Sequence, residues 1–174
     1  DVKTRISATA TLCDLARDDL IRDVTDVIGW LQGCLNDEEA IVVYYVIMTL
    51  HHFIHGGELD FDVVIKVISK KLVKCDDLAS ILELSPVVVE SFVVLLGDGA
   101  QSISDDSDKD DSSDEVREIS PQVERAVSTL LALAQEYEGR VNDDSESTSA
   151  LRILDLIYSS LSGYNIDELG LDAD

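Results

Sequence analysis

The sequence predicts an all-α protein, built as a right-handed stack of antiparallel helix pairs, an α-solenoid segment. Three observations lead there. The 174 residues are 45% hydrophobic, with only two prolines and 5% aromatics. That composition fills a core and favours helices over the many turns of a β-sandwich. Apolar residues recur at three- and four-residue spacing, the signature of helices with one buried face. The pattern also repeats. Setting Leu12 against Leu50 puts Ala8 against Val46 and Leu15 against Phe53, an offset of 38 residues. A further offset of 42 residues carries Val46 to Val88, Leu50 to Phe92 and Phe53 to Leu95. Helix pairs returning about every 40 residues are the mark of stacked arrays.

Taken in order, the first helix offers Val2, Ile6, Leu12, Cys13, Leu15 and Ala16 as its buried stripe. The second offers Leu20, Ile21, Val24, Val27, Ile28, Leu31, Cys34 and Leu35. The third begins after Asn36, read as an N-cap with Glu39 as its capping-box partner. It ends after His55 at Gly56-Gly57, where a left-handed residue is easily housed. A fourth runs from about Asp60 to Lys74, burying Phe61, Val64, Ile65, Ile68 and Leu72, with Lys66, Lys70, Lys71 and Lys74 outside. After a helical turn around Asp77–Leu84, "SPVVVESFVVLLGDG" opens with Ser85 as N-cap and Pro86 at the first helical position. It is expected to stop at Gly97, with "GDGA" running into a loop. Ser120-Pro121 repeats the device, opening a helix to Glu138 that Gly139 closes. A last helix lies near Thr148–Ser162. Residues 1–97 therefore read as helical repeats: two pairs plus the first helix of a third. Residues 98–119 form an acidic disordered loop, 120–163 a closing helical pair and 164–174 a tail. "DVKTRISATATLCDLA" resembles the first helix of a HEAT repeat, with Asp, Val, Arg, a small residue and Leu in order. The chain starts at Asp1 in mid-pattern and reads as a segment of something longer.

Formal net charge is −23. The window Ser104–Glu118 supplies 8 acidic and 2 basic residues, leaving −17 on the remainder. Phosphate backbones repel such a surface, so direct nucleic-acid binding is not expected, nor is binding to anionic lipid. A protein partner with a basic patch is. Cys13, Cys34 and Cys75 are widely spaced without a CxxC pair, and read as reduced cytoplasmic thiols acting as small hydrophobes. The longest apolar run, Ala40–Met48, is too short to span a bilayer, so no membrane insertion is expected.

All the histidines lie in "LHHFIHGG": His51, His52 and His55. His51 and His55 share a helix face, and are the two metal candidates. Zinc needs a third ligand, which Glu58 or Asp60 would supply only by folding back across the glycines, and no HExxH base is present. The alternative is a helix end, where imidazoles meet unpaired carbonyls and the negative end of the dipole. That reading is preferred, with no metal and no cofactor assigned.

Within the acidic run, Asp106, Asp108 and Asp110 match the first three ligand positions of an EF-hand loop. Asp111 stands where Gly is needed and Arg117 where a Glu is needed, so the motif fails. Ser107 and Ser112 each have an acidic residue three positions on, a pattern suited to acidophilic kinases, and are the candidate phosphorylation sites. No GxSxG elbow, Walker loop or GxGxxG is present. Trp30, beside Leu31 in the second helix, reads as packing or a local contact, and is the candidate interface residue as the alternative.

"DEEAIVVYYVIMTLHHFIHGGELDFDVVIKVISKKL", followed by "SPVVVESFVVLL", "VSTLLALAQ" and "SALRILDLIYSSLSGYNIDELGL", resembles the recurring unit of focadhesin-type proteins. Where that unit commonly has a Trp in its second helix, this chain has Ile65 or Lys66. The resemblance implies a HEAT/armadillo-type scaffold in the cytoplasm, not an enzyme, associated with focal adhesions or the cytosolic RNA-decay machinery. The reading is thus a scaffold segment mediating protein–protein interaction. The alternative is a metal-dependent enzyme or metal-binding domain built on His51 and His55.

Overall fold

Residues with three- and four-residue apolar spacing fold as helices, and a computed structural model describes residues 1–18, 24–74, 76–101, 121–142 and 147–162. Among these, all regular structure is helical: α1 (Val2–Arg17), α2 (Val24–Cys34), α3 (Ala40–His55), α4 (Phe61–Lys71), α5 (Leu78–Leu82), α6 (Pro86–Gln101), α7 (Pro121–Arg140) and α8 (Ser147–Leu161). The elements expected from the sequence are therefore present, and no strand occurs among the described residues.

Helix α1 lies on α3, α3 on α6, and α6 on α8. Helix α7 packs on both α6 and α8, α2 touches α3 and α4, and α5 touches α7. The amphipathic helices turn one face to this core. Val64 and Ile68 do so on α4, and Ile153, Leu154, Ile157 and Leu161 on α8. Helices α3 and α6 are apolar on most sides because each has neighbours on most sides. Each fully buried Leu, Ile or Phe removed from water contributes about 1.5–3 kcal/mol, so this shared core dominates the fold's stability. The buried hydroxyls of Thr49 and Ser91 bond within their own helices, Thr49 to the Tyr45 carbonyl and Ser91 to that of Val88, each at 2.8 Å.

Several boundaries differ from the sequence reading. On α1 the buried residues are Thr9, Cys13 and Ala16. Leu12 and Leu15 remain 36% and 37% exposed, because they project away from the face that meets α3. Asn36 is not the cap of α3; Glu39 holds that position, and Asp37 Oδ1 accepts from the Glu39 amide at 2.9 Å. Helix α4 ends at Lys71 rather than Lys74, and Gly139 lies inside α7, which continues to Arg140. Pro86 opens α6 as expected, but the buried Ser85 hydroxyl has no partner among the described residues, and its carbonyl joins the first turn.

The largest difference is at the end of α6. The helix runs through Gly97 and Gly99 to Gln101. A Cβ on Gly97 would stand 2.6 Å from Ser160 Oγ and 2.9 Å from Ser160 Cβ. One on Gly99 would stand 2.3 Å from the Phe61 ring. These glycines permit close helix approach; they do not stop the helix.

Two predictions follow from these contacts. Gly97→Ala should destabilise by about 1–3 kcal/mol through overpacking against α8. Gly29→Ala, in open space on α2, should stabilise by roughly 0.5–1 kcal/mol through helix propensity. Urea unfolding compares them directly. Asp37 is the second case. The Glu39 amide and the Arg5 guanidinium hold its carboxyl below the usual carboxylate range, with Arg5 Nε 3.1 Å away. A lowered folded value means the stabilisation is present above the unfolded pKa and lost as pH falls through the folded one. Asp37→Asn should therefore cost about 1 kcal/mol or less near neutrality, and nothing once the wild-type carboxylate is protonated. Stability curves against pH for the two proteins should converge in acid.

Candidate functional site

The stretch that holds the histidines is a helix end of defined geometry. The Gly57 amide donates to the Ile54 carbonyl and the Glu58 amide to that of Phe53, both at 3.0 Å. Gly57 takes the left-handed conformation, φ 72°. This pair of bonds is a Schellman closure, and it needs a residue without Cβ strain at that position. It fixes His51 and His55 one turn apart at the end of α3, with ring centroids 4.7 Å apart and planes at 78°.

Helix α6 supplies the third member. Asp98 Oδ2 lies 3.0 Å from His51 Nε2, and Oδ1 lies 3.0 Å from His55 Nε2. The Asp98 side chain is only 11% exposed, His51 18% and His55 62%. Although His51 Nε2 is close, it makes no hydrogen bond to Oδ2. That oxygen is enclosed and accepts no hydrogen bond from the described residues. All three ligand atoms fall within 4.8 Å of one another, the one such group of His, Cys, Asp and Glu among the described residues. Glu58 and Asp60, the third ligands suggested by sequence, are not members. Asp98 escaped because Gly97 and Gly99 flank it and resemble a loop. The available signal was the four-residue spacing of Phe92, Leu96 and Ala100, which continues one apolar helix face past both glycines.

The remaining site residues are dispersed. Trp30 is half-buried and packed against the core. Ser107 and Ser112 lie outside the described residues, as do Asp106, Asp108 and Asp110. Cys13 is buried and Cys34 half-buried, both as free thiols. A separate cleft of about 390 Å³ between α4, α6 and α7 has Phe61, Ile65 and Leu96 among its apolar walls and Lys66, Lys70 and Arg125 among its polar ones. It is locally cationic on a chain that is acidic elsewhere. No helix among the described residues is long and apolar enough to cross a membrane.

Compared with known proteins, the chain matches no family model, and neither the curated proteins nor the solved structures show a significant match.

Burial pushes the Cys13 thiol above its ordinary pKa, and burial does the same to Cys34. The thiolate is the reacting species. Cys13 should therefore react with a thiol reagent at neutral pH at least about a hundredfold more slowly in the folded protein than in urea. Mass spectrometry of time points identifies which cysteine is labelled.

Proposed function

We propose that this chain is a helical-repeat scaffold segment, not an enzyme, and that it binds a protein partner through its outer surface. The supporting observation is where the apolar side chains that meet solvent are found. On this reading α1, α3, α6 and α8 form a row, and five of the six large exposed hydrophobics among the described residues lie on its two end members, the sixth, Val63, being on α4. Val2, Leu12 and Leu15 are on α1, and Leu151 and Tyr158 on α8. An array of stacked units presents such faces at its ends, because each unit contacts only its neighbours. The offsets of 38 and 42 residues that align α1, α3 and α6 support the same reading. On this reading the fold is a HEAT/armadillo-type solenoid segment. The likeness to focadhesin-type units suggests work in the cytoplasm, at adhesions or with the RNA-decay machinery.

A surface of net charge −23 attracts a partner that offers a basic patch, and attraction between exposed charges is screened by salt. Capture of such a partner by the immobilised protein should weaken by about tenfold or more from low to high ionic strength. Binding that is indifferent to salt would remove the role given to charge. Loss of binding on Leu12→Asp or Leu151→Asp, with helicity unchanged, would place the contact on an end face.

A further inference from the structure

We propose that His51, His55 and Asp98 form a binding site for a zinc-class divalent metal ion, which clasps α3 to α6. The proposal is independent of the scaffold reading. Zinc bonds to imidazole nitrogen and carboxylate oxygen are about 2.0–2.1 Å long, so tetrahedral ligand atoms stand about 3.3 Å apart. Each imidazole nitrogen here lies 3.0 Å from its carboxylate oxygen, and all three ligand atoms fit within 4.8 Å. An ion placed among them requires only small side-chain adjustments.

The surroundings call for positive charge. His51 and His55 stand in the last two turns of α3, and Asp98 stands in the last turn of α6. A helix C-terminus carries roughly half a negative charge. That end of α3 and a carboxylate that is only 11% exposed therefore face the same place. A carboxylate at a helix C-terminus, enclosed by protein, is costly without a cation beside it. An imidazole N–H bonded to the enclosed oxygen would offset part of that cost. Here the enclosed Asp98 Oδ2 accepts no such bond from the described residues. A metal ion satisfies that oxygen and both nitrogens at once.

Donor chemistry selects the ion. Two imidazoles and one carboxylate suit zinc and its neighbours among the first-row divalent metals, whereas magnesium and calcium prefer all-oxygen shells. Three protein ligands leave one tetrahedral position, and His55, 62% exposed, marks the side from which water reaches it. The role assigned is binding, which fixes one helix against the next.

The test uses the whole chain, stripped with a chelator and dialysed against zinc chloride. Elemental analysis should find one zinc per chain that survives dialysis into metal-free buffer. Asp98→Asn and His55→Ala should each reduce retained zinc at least about tenfold, with helicity unchanged by circular dichroism. Zinc should raise the thermal midpoint of the wild type and of neither variant, and magnesium should raise none of them. If Asp98→Asn fails to fold, His55→Ala decides, since that side chain is mostly in solvent. Wild type that retains no zinc would overturn the site. So would equal retention by wild type and His55→Ala, which would assign the metal to thiols or to the acidic surface. Partner capture is a separate readout, so failure here leaves the scaffold reading standing.

Discussion

Gly97 and Gly99 of α6 lack a Cβ where Ser160 of α8 and Phe61 of α4 press closest, and that close approach is the constraint on which the rest of the structure depends. Helix α6 meets α3, α7 and α8. Its buried residues run from Val88 to Ala100, on nearly every side of the helix. A helix surrounded in this way must be apolar all round, and where neighbours crowd it must be small. Side chains on α6 therefore determine both how near α8 can come and where the end of α6 is delivered.

The same approach produces the one cluster of ligating side chains among the described residues. Because α6 does not stop at Gly97, Asp98 stays on a rigid helix and meets the histidines at the end of α3. The Schellman closure at Gly57 ends α3 immediately beyond His55 and turns the chain away. The end of α3 and a carboxylate then share a small volume. Electrostatics in the rest of the molecule is milder. The Arg5–Asp37 pair ties α1 to the link before α3, and Arg152 on α8 reaches Glu90 on α6 at 3.1 Å. Both arginines are largely exposed, so each pair adds little stability and mainly selects register. With few cations available, the cleft that gathers Lys66, Lys70 and Arg125 is a local reversal of the surface charge.

Much of the helical content was legible from residue spacing. Pro86 and Pro121 marked helix starts because proline fits the first helical position. Gly56-Gly57 marked a helix end correctly, since Gly57 adopts positive φ. Gly97 and Gly139 were misread by the same rule, because a glycine at a cap and a glycine inside a helix look identical in sequence. Leu12 and Leu15 were assigned to the core of α1 on hydrophobicity, but hydrophobicity does not say which side of an end helix has a neighbour. Asn36 and Glu39 fit a capping box by type and spacing. In the fold Asp37 takes over the local hydrogen bonding.

Local order, a strongly acidic surface and a pair of histidines one helical turn apart were determined by the sequence alone. Each depends only on residues close along the chain, or on a simple sum over it. The third member of the histidine cluster, the exposure of Leu12 and Leu15 and the passage of α6 through Gly97 were decided by tertiary structure. His55 and Asp98 are far apart in sequence, and only the packing of α6 on α3 brings an imidazole and a carboxylate to hydrogen-bonding distance.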